Sequence, residues 1–210
     1  MRCPCPAPEE LPLVPAEDCG FKIDQIVRIG FQLLQPGGAS TFTADAGLND
    51  IAAVNALRAA AGATRLTLTP AISNFVIPSS EAQTEAGGDN TTPFGLPIDL
   101  GEGPVSPSGF YRNLAPAVKK ALDQIRCVSQ AGGGFPRIGA FLLNKNGVWI
   151  HNVNADGLPV GIPILNYRNS TRGTEGLNQD DKIPFGFNFQ PDWDSDIAQT
   201  IPDYSFAELV

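Results

Sequence analysis

One histidine, four cysteines and a scatter of carboxylates are the side chains of this 210-residue chain on which chemistry could rest. The histidine, His151, sits in RIGAFLLNKNGVWIHNV, residues 137–153. To act as a base it would need an orienting carboxylate and a nucleophile beside it. No spacing in the sequence supplies either. The expectation is a packed or interface imidazole with one satisfied nitrogen.

Cys3, Cys5, Cys19 and Cys127 match the number of thiols that a structural zinc needs, but CPC is not the usual knuckle and the other two are distant. Unlinked thiols are the reading taken, with zinc or a late-formed disulfide as alternatives. PDWDSDI places Asp192, Asp194 and Asp196 at alternate positions. The glycine that an EF-hand loop requires is Ile197 and its closing glutamate is Asp203, so a solvated turn is expected. AGGGFPRIG precedes a strand and lacks the Lys-Ser/Thr pair of a phosphate loop, which makes it a connector. Asn90 and Asn169 head glycosylation-type triplets, in a chain read as having no secretory signal. No two carboxylates are spaced to face each other across a cleft. The chain is therefore read as a non-enzyme with no cofactor and no metal.

Composition points the same way. The formal charge is −8, from 22 acidic and 14 basic residues. That argues against a sequence-independent grip on nucleic acid, which needs a basic stripe, though not against DNA passing near an acidic wall. Apolar runs fall well short of the ~20 residues of a membrane span. MRCPCPAPEELPLVPAEDC lacks the apolar core of a signal peptide, so a soluble chain made in the cytosol is expected. The 22 glycines and 19 prolines suit many turns between short strands.

The elements that would position these residues follow from periodicity. Residues 1–20 read as an extended arm, and 21–210 as one β-rich domain. FKIDQIVRIGFQLL is a strand, or a strand that continues past a bulge, and QPGG closes it. NDIAAVNALRAAAG is a helix capped by Asn49 or Asp50, with Ile51, Val54 and Leu57 on one face and Gly62 at its end. TRLTLTP and AISNFVIP are short strands. Residues 78–93, PSSEAQTEAGGDNTTP, are polar and aperiodic, a long loop of the kind that is disordered or functional. Pro97 marks FGLPIDL as an edge strand, as Pro163 does GIPILNY.

LAPAVKKALDQIRC is the clearest helix. Pro116 stands in its first turn, Val118, Leu122 and Ile125 form its apolar stripe, and Lys119, Lys120 and Asp123 face out. In the hairpin that follows, Asn146-Gly147 suits a two-residue type I′ turn. That turn pairs Lys145 with Val148, Asn144 with Trp149, Leu143 with Ile150 and Leu142 with His151. Both faces are then apolar, so both should be covered. IPFGFNFQ alternates, with Ile183, Phe185, Phe187 and Phe189 on one face. The fold class expected is β-rich α+β with two short flanking helices and a long loop.

The order FGLPIDLGEGPVSPSGFYRNL, APAVKKALDQIRC, FPRIGAFLLNKNGVWI and IPFGFNFQPDWDSDI resembles structural proteins of tailed bacteriophage virions, most narrowly major tail tube proteins, over residues 20–200. The CPCP arm is a departure from that pattern. The resemblance implies a β-sandwich or partly closed barrel, and a homo-oligomer of stacked hexameric rings within the virion, in contact with other virion proteins. DNA would pass through the channel without specific binding, and no membrane is involved. It also implies that the loop at 78–93 stacks between rings, with Glu81, Glu85 and Asp89 meeting a neighbour's basic residues. A capsid decoration or head–tail connector protein, and a carbohydrate-binding β-sandwich with exposed aromatic rings, are the competing classes.

Overall fold

The computed structural model describes residues 23–85, 98–174, 176 and 180–209. The first described strand is β1, Ile26–Leu33, whose register against its partner shifts between Ile26 and Arg28, so that of the two readings it is the strand with a bulge. Helix α1, Ile51–Ala59, is capped by Asp50, whose carboxylate accepts the Ala52 amide at 2.8 Å. That choice between Asn49 and Asp50 follows from geometry, since a cap side chain must reach the amide two or three residues on. The helix ends at Ala59, ahead of Gly62, which instead turns the chain at φ 70°.

Strands β2, Thr67–Leu68, and β3, Ile72–Val76, come next. Then β4, Ala82–Glu85, pairs with β5, Ile98–Glu102, as a separate two-stranded sheet. The stretch expected as loop over 78–93 is thus partly a strand. Its polar side chains hid the strand because β4 buries no apolar face, so no alternation was there to read. Strand β6, Ser108–Arg112, precedes helix α2, Pro116–Gln130. The remaining strands are β7, Ile138–Asn144; β8, Trp149–Val153; β9, Pro159–Val160; β10, Ile162–Asn169; β11, Lys182–Phe189; and β12, Ile197–Thr200.

Ten of these strands form one antiparallel sheet, running β12-β8-β7-β10-β11-β6-β3, with β1 and β2 branching from β7 and β9 from β8. The branch arises because β7 gives one whole edge to β1 while its other edge is split, Leu142 and Leu143 meeting β8 and Ile138 to Ala140 meeting β10. The sheet curls until β1 comes round against β3. Thr69 ties the two ends, its hydroxyl accepting the Ile29 amide at 2.9 Å and its amide donating to the Ile29 carbonyl at 2.8 Å. No ladder joins β1 to β3 among the described residues, so the barrel is partly closed, as the β-rich α+β expectation allowed.

Two apolar layers share β7. Inside the curl, Ile29, Leu142, Ile150, Tyr167, Phe187 and their neighbours form the main core. The four alternating residues of β11, Ile183, Phe185, Phe187 and Phe189, all point there. Outside, Phe141, Leu143 and Trp149 are covered by Phe42, Leu48, Val54 of α1 and Leu209. The Trp149 indole donates to the Tyr204 hydroxyl at 2.8 Å, which donates to the Leu48 carbonyl at 3.0 Å. That chain satisfies the polar ends of one buried and one half-buried ring in an otherwise apolar layer.

Helix α2 covers the curl through Leu122, Val118 and Ile125, the expected stripe, and packs on β10. The outward side is less simple than periodicity suggested: Asp123 is only half exposed, bridging Lys119 at 3.0 Å and accepting from the Asn169 amide at 2.9 Å. A bulge between Leu165 and Arg168, with Asn166 at φ 54°, takes the Tyr167 amide out of its ladder. Ser129 of α2 accepts that amide at 3.0 Å, so the helix meets a donor that burial would otherwise leave orphaned.

Two expectations are corrected. The β7–β8 turn holds three residues, not two: the Asn144 amide donates to the Val148 carbonyl, and Leu143 faces Trp149 while Leu142 faces Ile150. Asn144 Oδ1 accepts the amides of Asn146 and Val148, both at 2.9 Å, and Gly147 takes φ 85°. One residue of register moves every β8 side chain to the other face. Trp149 and His151 therefore join Phe141 and Leu143, and Ile150 joins Ala140 and Leu142. Second, β10 lies between β7 and β11 and is not an edge. Pro163 is tolerated because it pairs with Gly139 of β7 at a point before the β11 ladder begins at Ile164.

Candidate functional site

His151 is 1% exposed, on the outer face of β8 with its ring 6.5 Å from that of Phe141. Nδ1 lies 2.8 Å from the Asn152 carbonyl, and Nε2 lies 2.8 Å from the Thr200 hydroxyl of β12. A carbonyl only accepts, so Nδ1 carries the proton and neutral Nε2 accepts from Thr200. Burial holds the imidazole pKa below its ordinary range, with the Asn152 carbonyl opposing that weakly. Both nitrogens are engaged, one more than the sequence suggested, and neither partner is a carboxylate. The ring ties β12 to β8.

The other candidate residues are not brought together. Cys127 is an exposed thiol on α2, while Cys3, Cys5 and Cys19 lie outside the described residues, as do Asp89 and Asn90. Glu81 is exposed just ahead of β4, its carbonyl accepting the Gly103 amide at 3.0 Å, and Glu85 is the last residue of β4. Asp192, Asp194 and Asp196 are exposed in the turn that links β11 to β12. Asn169, in contrast, is 4% exposed within β10 with its amide on Asp123, a position no glycan could reach in the folded chain. Among the described residues no three His, Cys, Asp or Glu side chains gather where a metal could sit. Among them, too, no helix is long and apolar enough to cross a membrane.

The inner core holds a polar pair that periodicity did not single out. Tyr111 of β6 and Tyr167 of β10 place their hydroxyls 3.4 Å apart, both rings fully buried. Burial, reinforced by the neighbouring Tyr167, pushes the Tyr111 phenol well up, and burial pushes Tyr167 to about 12. Tyr111 also stacks on Phe185 at 4.5 Å. Held protonated by burial, the two phenols share one hydrogen bond within the core, and either can donate it.

The concave surfaces lie elsewhere. One is a groove of about 580 Å³ where the start of β1 parts from the end of β3, with Trp193 on its far wall. A second, of about 480 Å³, opens on the other side of Trp193 beside Asn152, Ser195 and Asp196. Trp193 stacks on Phe189 at 4.4 Å and is half-buried. The groove walls come from segments distant in sequence, so no local motif could have flagged them.

No protein-family model, no curated protein and no solved structure matches this chain.

Proposed function

We propose that this chain is a structural subunit that works by associating with copies of itself, of the kind that builds a bacteriophage virion, most narrowly its tail tube. The observation that carries the reading is the β4–β5 pair. Its strands ladder only with each other among the described residues, and Leu100 within it is 61% exposed. An isolated two-stranded ribbon is marginal in water and needs cover on one face. A neighbouring copy supplies that cover and repays the ordering.

Other features support the same class. Both ends of the main sheet path, β12 and β3, are edges. Ile201, just beyond β12, is 75% exposed, and Phe135, before β7, is 77% exposed. Glu81, with Glu85 and Asp89, is proposed to meet basic residues of the neighbour. A net charge of −8 suits a wall past which DNA slides without being held. A glycan-binding module is less well served: Trp149, Tyr111 and Tyr167 are fully buried, which leaves Trp193 and half-buried Tyr204 to form a platform.

Sedimentation across a concentration series, with negative-stain imaging of the top sample, tests the reading. Rings or stacked rings are expected, and Leu100→Glu should weaken association about tenfold or more while leaving the circular dichroism spectrum unchanged. A monomer at all concentrations whose β4–β5 amides are nevertheless protected from exchange would end it.

A further inference from the structure

The seam between β1 and β3 is the least finished part of the fold. Near Ile29 the two ends are stitched by Thr69, and β2 pairs with β1 only at Gly30 and Phe31. Toward Ile26 the margins part and the groove of about 580 Å³ opens between them. Ile26 and Val105, both core residues, sit at its base, and Phe75, Ile77 and Trp193 present half-buried apolar surface to it. One wall is β3, which ladders to β6 alone among the described residues. A bounded apolar slot beside the margin of a sheet is the geometry in which an extended peptide adds as a strand, its backbone pairing with the edge and alternate side chains entering the slot.

The rim says what kind of peptide. Asp24, Glu102 and Asp194 line the groove, with no lysine or arginine among the described lining residues. Asp24 already holds Lys145 at 3.6 Å and Glu102 accepts the Ser80 hydroxyl at 2.8 Å, while neither Glu102 nor Asp194 forms an ion pair among the described residues. Beyond Trp193, Asp192 and Asp196 continue the acidic surface along the second groove. The chain's own residues 1–22 carry Glu9, Glu10, Glu17 and Asp18 against Arg2 and Lys22, and a whole second copy brings −8. Either meets like charge here.

We propose that this seam docks an extended segment of a different protein, alternating apolar and basic residues, which adds as a strand against β3. Apolar side chains fill the slot over Phe75, Ile77 and Trp193, and basic ones lie along Glu102 and Asp194. A stretch of about four residues matches Ile23–Ile26, which line the groove, at ~3.3 Å per residue. The site borders the β4–β5 pair through Glu102, the last residue of β5, but its apolar slot over Phe75, Ile77 and Trp193 takes no residue from that pair.

The test is titration of the full chain with a capped peptide alternating valine and lysine, followed by calorimetry and by Trp193 fluorescence. Comparators are the same peptide with glutamate for lysine and a version with proline at alternate positions. The lysine peptide is expected to bind at least tenfold more tightly than either, and Glu102→Lys/Asp194→Lys to weaken it about tenfold while favouring the glutamate peptide. No binding, equal binding of the three peptides, or indifference to the rim reversal overturns the proposal. Loss of self-association in Asp194→Lys alone, which leaves β5 unaltered, would assign the seam to a second copy, and overturns it as well.

Discussion

Replacing Gly161 with alanine sets a methyl carbon 2.7 Å from both Cα and C of Gly139, with the Ala140 nitrogen at 3.1 Å. Carbon atoms pack comfortably at about 3.5–4.0 Å, so at least ~0.8 Å must be found. All three obstacles are backbone, and no rotamer change relieves them. β7 has little room to give, since all seven of its residues are buried and β1 pairs along its whole length. The expected cost lies at the upper end of the overpacking range, about 3 kcal/mol, a large share of the ~5–15 kcal/mol that holds a typical domain together. Gly139→Ala meets the same strand from the other side, 2.8 Å from Gly161 Cα and 2.9 Å from Leu34 Cδ2, and should cost a similar amount. The double variant is the sharper test. Once one methyl has forced β7 and β10 apart, the second finds space already made, so the sum should overshoot the measured loss by about 1 kcal/mol. Urea midpoints at constant m-value give all four corners of the cycle. Single losses under about 0.5 kcal/mol, or strict additivity, would refute the claim that these strands touch through their glycines.

Three further outcomes follow from particular groups. His151 has a folded-state pKa below the ordinary 6.5, so the unfolded chain takes up the proton first; stability should be full above that value and fall as pH drops below it. His151→Gln, which keeps a donor and an acceptor, should flatten that slope in thermal melts between about pH 7.5 and 5. Tyr167 is shifted the opposite way, from 10.0 to about 12, so its contribution is intact below pH 10 and is lost as pH climbs toward 12, on the order of 2–3 kcal/mol. Phenolate absorbance should show Tyr111 and Tyr167 ionising only as the chain unfolds, and earlier reversible ionisation would contradict their burial. Asn144→Ala removes the acceptor for two turn amides and should cost about 1–3 kcal/mol, with loss of exchange protection at Val148 as the local readout.

What could be read in advance depended on how many segments a feature needs. The alternation in β11 and the stripe of α2 are local, and one buried face dictates each; both stand as read. The β7–β8 hairpin was legible as an element but not in register, because apolar residues on both faces remove the contrast that pins a strand. The decision fell to Asn144, whose side chain folds the turn into three residues. Pro163 was misjudged because an edge was inferred from a missing donor, whereas the fold only needed one unpaired side at that residue. The imidazole was readable as an apolar-hairpin residue, but its link to Thr200 needed β12 alongside. The tyrosine pair and the seam groove draw on three or more distant stretches, and no window of sequence contains them.

β7 gives both faces and both edges to the rest of the molecule, so the wall between the two apolar layers belongs to neither. Peeling away α1 and the C-terminal segment would wet the back of the inner barrel, and opening the barrel would strip the floor from the outer layer. The two layers are therefore bound to melt as one, and heat should find a single cooperative transition in which the strand at the centre is the last to let its amide protons go.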